Sequence, residues 1–190
     1  MLLSARYKVF MTRLLAAASE LFYAGNPVTA GPYNVSKKVN IEGTGLDGQQ
    51  HIDDEKLKCY VQISEAVVEM GDQNQLLREF AMAHELGHLC MSQIGDQIGT
   101  SQLRLDSLKH EVAADLIGVC LLLKLGVVPV TIVSTLKAYG DFVMDEHQHG
   151  THPARNERIG FIVALIIKVR IKLLNEVTAI TQVLHDMGNV

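Results

Sequence analysis

Tryptophan is absent from this chain, and tyrosine and phenylalanine contribute only five residues each. A core of this composition has to be mainly aliphatic. No cluster of basic residues exists either, because the 17 lysines and arginines are scattered and the net charge is −4. This excludes the basic surface typical of nucleic-acid-binding proteins. With 190 residues, 48% of them hydrophobic, we expect a single domain with a sizeable core.

Cysteine is scarce as well. Cys59, Cys90 and Cys120 lie within apolar runs, and none has the spacing of a zinc knuckle. An odd number of buried cysteines is typical of reduced thiols, so the sequence favours a cytoplasmic location.

Long uninterrupted apolar runs are missing too. The most apolar stretch, residues 116–133, is interrupted by Lys124, Gly126 and Pro129, which predicts two shorter buried helices. Residues 1–24 carry three basic side chains among apolar ones, which indicates an amphipathic helix rather than a secretion signal. Association of that helix with a membrane surface stays open as an alternative, although we do not expect it.

Periodicity and turn residues predict a mostly helical α+β chain with a small β-sheet before its longest helices. Alternating apolar residues predict strands at 33–41 and 58–64. Predicted helices run from Asp72 to Gly95, from Asp106 or Ser107 to Leu125, from Pro129 to Gly140, and as one or two helices from Ala154 to Met187. The polar residues 141–151 are predicted to form a loop.

The most informative motif is His84-Glu85-Leu86-Gly87-His88. Residues four apart share one face of an α-helix, so His84 and His88 can bind one metal ion. Glu85 lies about 100° round the helix, where its carboxylate can take a proton from water. This is the His-Glu-x-x-His arrangement of zinc peptidases. The alternative is an apolar core helix whose two histidines are hydrogen-bonded.

A catalytic zinc usually has three protein ligands. Glu111 is the best third candidate, because the chain can turn after His88 and bring a second helix past the first. Asp115 shares its face and can accept the second N–H of a ligating histidine. His110 is a competing ligand, but it points about 100° away from Glu111. The alternative for both acidic residues is a solvated helix face.

These residues resemble a known family. The His84–His88 motif followed by Glu111-x-x-x-Asp115 is similar to the gluzincin metallopeptidases. The stretch Thr151-His-Pro-Ala-Arg-Asn-Glu-Arg-Ile159 narrows the resemblance to the branch of HtpX and the CAAX prenyl proteases. The whole resemblance extends from about Leu57 to Gly160. Because no transmembrane helix is predicted, the chain looks like the catalytic-domain-only forms called minigluzincins.

The chain is predicted to be a single domain over residues 1–190, with an N-terminal amphipathic helix at 1–24, a catalytic region at 33–160 and a C-terminal helix at 161–190, and the resemblance implies that this domain is zincin-like. It implies one Zn²⁺ per chain. It also implies that His152 and Arg158 lie near the metal and hold substrate or the developing oxyanion, or that His152 caps the metal in a latent enzyme. His147 and His149 match nothing in the family and are predicted to be solvated.

The sequence therefore predicts a zinc endopeptidase that cleaves a protein or peptide substrate. The strand Lys58–Ser64 can pair with an extended substrate if it lies at a sheet edge; the alternative is a strand covered on both edges. Two other functions stay open. One is a regulatory peptidase of the ImmA/IrrE type, and the other is a latent, zinc-stabilised binding module.

Overall fold

The structure, a computed structural model, describes residues 5–23, 29–30, 35–36, 48–53, 56–61, 63–64, 75–97, 107–139 and 153–187. The described helices are α1 (Ala5–Phe22), α2 (Gln75–Gln97), α3 (Ser107–Lys124), α4 (Pro129–Tyr139), α5 (Arg155–Arg170) and α6 (Glu176–Asp186). The predicted mostly helical character is confirmed. Among these helices none is long and apolar enough to cross a bilayer.

Short strands lie between α1 and α2. They are β1 (Thr29–Ala30), β2 (Val35–Ser36), β3 (Gly48–Asp53), β4 (Lys56–Val61) and β5 (Ile63–Ser64). β4 pairs with β1 in parallel and with β3 antiparallel, while β2 pairs with β5. Lys58 and Cys59 consequently pair with a neighbouring strand on both sides. At these two residues the strand is therefore covered on both edges, which was the alternative to pairing with an extended substrate.

The core is centred on α2 and α3. α1 packs against both of them, α5 and α6 cover α3, and α4 contacts α2 and α5. The buried side chains are almost all aliphatic, as the composition predicts, and each large one contributes about 1.5–3 kcal/mol to folding. The apolar face of α1 forms part of this core through Met11, Leu14 and Phe22. Cys90 and Cys120 are buried, and neither forms a disulfide bond.

The predicted end of α3 and the predicted start of α4 are confirmed, whereas Gly140, the predicted end of α4, lies outside the described residues. α3 stops before Gly126, whose φ of 88° is unfavourable for residues with a Cβ. The backbone N–H groups of Gly126 and Val127 donate to the carbonyls of Leu123 and Leu122, which closes the helix. Pro129 then opens α4, where its missing N–H costs nothing.

Two other helix boundaries differ from the sequence prediction. α2 continues through Gly95 to Gln97, so this glycine does not end it. The C-terminal part from residue 161 is not one helix, because α5 ends at Arg170 and α6 begins at Glu176. The predicted cap at Asp72 lies outside the described residues.

Candidate metal centre

The candidate ligands lie where α2 and α3 pack against each other. The backbone of Gly87 lies against that of Ala114, and the backbone of Gly118 lies against that of His84, so the two helices are antiparallel. Helical spacing of four residues puts His84 and His88 on one face of α2, and Glu111 and Asp115 on one face of α3. Glu111 and Asp115 are therefore not on a solvated helix face.

Three side chains, two imidazoles and one carboxylate, converge at this contact. His84 Nε2 and His88 Nε2 are 3.1 Å apart. Glu111 Oε2 lies 3.4 Å from His84 Nε2, and Glu111 Oε1 lies 3.7 Å from His88 Nε2. Within the described residues this is the group of histidine and carboxylate ligands that could hold a metal ion.

The spacing of these atoms can be compared with that of metal ligands. Zinc binds nitrogen and oxygen at about 2.0–2.1 Å in a tetrahedron, whose edges are then about 3.4 Å long. The separations of 3.1, 3.4 and 3.7 Å, the last two of which involve different oxygens of Glu111, lie close to this edge. Two imidazoles and one carboxylate are also the donor set of known catalytic zinc sites. The residues present therefore fit a zinc ion.

Asp115 holds His84 in the orientation that a ligand needs. Its Oδ1 lies 2.8 Å from His84 Nδ1, so that nitrogen can donate and Nε2 faces Glu111 and His88. Arg158 then binds Asp115 through both oxygens, with Nε at 2.6 Å from Oδ2 and Nη2 at 2.7 Å from Oδ1. Asp115 and Arg158 are 0% and 2% exposed, so this ion pair is inside the protein.

The two histidines have opposite pKa shifts. Burial lowers the pKa of His84, but hydrogen bonds that His84 donates to Asp115 and Glu111 outweigh burial and raise it to about 9. For His88, burial and the neighbouring His84 charge lower the pKa to about 4. At neutral pH the metal-free cluster therefore contains a charged His84 between two carboxylates and a neutral His88. A divalent cation in the same place would replace one proton.

Glu85 follows His84 on α2 and is only 9% exposed. Its negative charge is close enough to favour the protonated form of His84. The competing ligand His110 is exposed and is not part of the ligand group. His147, His149 and His152 lie outside the described residues.

Two features of the centre were missed by the sequence analysis. The first is the contact between Arg158 and Asp115. Only the family resemblance singled out Arg158, and it implied that this residue holds substrate or the oxyanion, not that it binds Asp115. The second is the glycine pair Gly87 and Gly118, each of which lies against the backbone of the opposite helix. Gly87 stands inside the motif, but no spacing rule connects it to Gly118.

Comparisons with models of known protein families, with curated proteins and with solved structures find no match. The function therefore has to be argued from the residues and their geometry.

Proposed function

We propose that this protein is a zinc-dependent endopeptidase with a zincin-like arrangement, in which a small sheet precedes the helix that carries the catalytic motif. The observation that carries the proposal is the convergence of His84 Nε2, His88 Nε2 and the Glu111 carboxylate at separations of 3.1 to 3.7 Å. Glu85 next to this group adds the carboxylate that hydrolysis requires.

His84, His88 and Glu111 would hold the metal, which leaves one position of a tetrahedron open. When bound there, zinc supplies Lewis acidity that lowers the pKa of water and polarises a carbonyl group. The hydrogen bond that His84 Nδ1 donates to Asp115 keeps the His84 ring in place, and loss of a partner of this kind typically lowers metal affinity or activity about 10–100-fold.

Glu85 is the proposed general base. Its carboxylate takes a proton from the attacking water and later gives that proton to the leaving amine. Arg158 is assigned a different role from the one implied by the resemblance. Because Nε and Nη2 bind Asp115, its guanidinium orients the ligand support, and we treat it as a positioning residue. His152 is retained as a candidate for holding substrate or capping the metal.

Cys90 and Cys120 are buried and form no disulfide bond, which supports a reducing compartment, and the proposed location is the cytoplasm. The proposed partner is a protein or peptide substrate.

The test is the variant Glu85→Gln. We expect it to bind one zinc per chain like the original protein, because Glu85 is not a ligand, and to lose peptide cleavage, because an amide cannot accept the proton. Zinc content is measured after purification, and cleavage is measured with denatured casein and a peptide library.

The matched control is Glu157→Gln, an exposed position on α5, which should change neither property. Cleavage by Glu85→Gln at the original rate would refute the assignment of the base. Failure of the unaltered protein to bind zinc would refute the metal centre. If zinc binds but X-ray absorption shows three histidine ligands in place of two, the latent alternative with His152 on the metal is favoured.

A further inference from the structure

Two glycines lie at the contact between α2 and α3. A Cβ atom added to Gly87 would lie 2.5 Å from the carbonyl oxygen of Ala114 and 2.9 Å from its Cα. A Cβ atom added to Gly118 would lie 2.9 Å from the backbone nitrogen of His84. In both places the obstacle is backbone, which cannot rotate away as the end of a side chain can.

An alanine at either position therefore requires the helices to separate or slide. An ordinary carbon contact is 3.4 Å or longer, so Gly87→Ala demands a local displacement of about 1 Å. Metal sites tolerate only smaller displacements, since the ligands have to stay within about 0.5 Å of a productive geometry. Glu111 and Asp115 reach the histidines only because α3 lies this close to α2.

The position of the glycines relative to the ligands is specific. Gly87 precedes His88 and opposes Ala114, which precedes Asp115. Gly118 lies one turn after Asp115 and contacts the backbone of His84 itself. Both close approaches thus flank the hydrogen bond between Asp115 and His84 and the gap between Glu111 and the two imidazoles.

We propose that Gly87 and Gly118 are positioning residues of the metal centre. By allowing the backbones of α2 and α3 to touch, they set the distance from Glu111 and Asp115 to the two histidines, and hence the affinity for a divalent cation. This inference rests on the proposed metal-binding function.

The experiment measures Co²⁺ binding to the metal-free full chain. Co²⁺ takes the place of zinc, and its visible absorption reports the coordination geometry. Gly87→Ala and Gly118→Ala are each expected to weaken Co²⁺ binding about tenfold or more, as for other supports of a ligand, and to weaken or shift the tetrahedral absorption band.

Two glycines elsewhere in the chain provide matched controls. Gly126→Ala places a Cβ at φ 88°, so it lowers the melting temperature through backbone strain, but it does not touch α2. Gly160→Ala has open space around its added Cβ on α5. Both controls should bind Co²⁺ with unchanged affinity and spectrum, which separates loss of stability from loss of ligand geometry.

Each outcome is decisive. Unchanged affinity and spectrum in Gly87→Ala and Gly118→Ala overturn the inference and leave the metal centre in place. Equal weakening in Gly126→Ala also overturns it, because the effect would then follow stability alone. If neither Gly87→Ala nor Gly118→Ala folds, the glycines serve the core as a whole and the inference is wrong. Absence of Co²⁺ and Zn²⁺ binding by the unaltered chain refutes the proposed function instead.

Discussion

Asp115 is fully buried, and its two carboxylate oxygens face two different partners. Oδ1 lies 2.8 Å from His84 Nδ1, and both oxygens accept from Arg158. Burial alone raises the pKa of Asp115, but the charge and hydrogen bonds of Arg158 outweigh it and lower the pKa to about 2. The charged carboxylate of Asp115 is tolerated inside the protein because both of its oxygens accept hydrogen bonds and a positive charge lies beside it.

At the residue scale we predict that Arg158→Met destabilises the metal-free protein by about 3–5 kcal/mol, since it leaves a buried carboxylate without its main partner. The folded-state pKa of Asp115 is lower than its ordinary value of 3.8, so the pair stabilises the protein above that value. This stabilisation is lost as the pH falls from about 4 towards about 2. Urea unfolding at a series of pH values measures both effects.

The control for this prediction is Lys172→Met, an exposed position between α5 and α6, which should leave stability and its pH dependence unchanged. A loss below about 1 kcal/mol in Arg158→Met, the size typical of surface pairs, would contradict the interior ion pair.

At the scale of elements, the helix ends show which residues are sufficient to predict where a helix begins or ends. Gly126 and Pro129 act through their own backbone chemistry, and both boundaries were predicted correctly. Gly95 has the same backbone freedom, yet α2 continues to Gln97, because a glycine permits a helix end without requiring one. The division between α5 and α6 falls at residues with a positive φ at Leu173 and a cap at Asn175.

At this scale we predict that Asn175→Ala lowers the unfolding free energy by about 1 kcal/mol. The side-chain oxygen of Asn175 accepts from the backbone N–H of Thr178 at 2.9 Å, and alanine leaves that donor without this partner. Zinc binding should not change, because α6 carries none of the proposed ligands. Denaturant unfolding gives the free energy. Asn156→Ala, at an exposed site within α5, is the control, and an equal loss there would contradict a capping effect.

For the whole molecule, the proposed metal centre lies within the main helix pair of the core rather than on a loop. The proposed ligands come from both α2 and α3, and Arg158 connects α5 to them through Asp115. A metal bound there would connect two helices that are distant in sequence. Binding to the folded state alone would therefore stabilise the entire domain.

We accordingly predict that removal of zinc by a chelator lowers the melting temperature of the unaltered protein. With free zinc at 100 times its dissociation constant, the added stability is about 2.7 kcal/mol. Glu111→Gln should show a much smaller difference between the zinc-loaded and metal-free forms, whereas Glu157→Gln should show the full difference. Thermal unfolding with and without zinc is the measurement, and an equal response from Glu111→Gln would count against Glu111 as a ligand.

The amino-acid sequence by itself determined the spacing of His84, Glu85 and His88 on one helix, the pairing of Glu111 with Asp115 on another, and the helix boundary at Gly126. These depend on residues close together in the chain, and helical periodicity converts their spacing into a shared face. The tertiary structure alone decided that Arg158 contacts Asp115 and that Gly87 and Gly118 bring the two backbones together. Such contacts join residues far apart in sequence, and their distances depend on how whole helices pack, which no local pattern encodes.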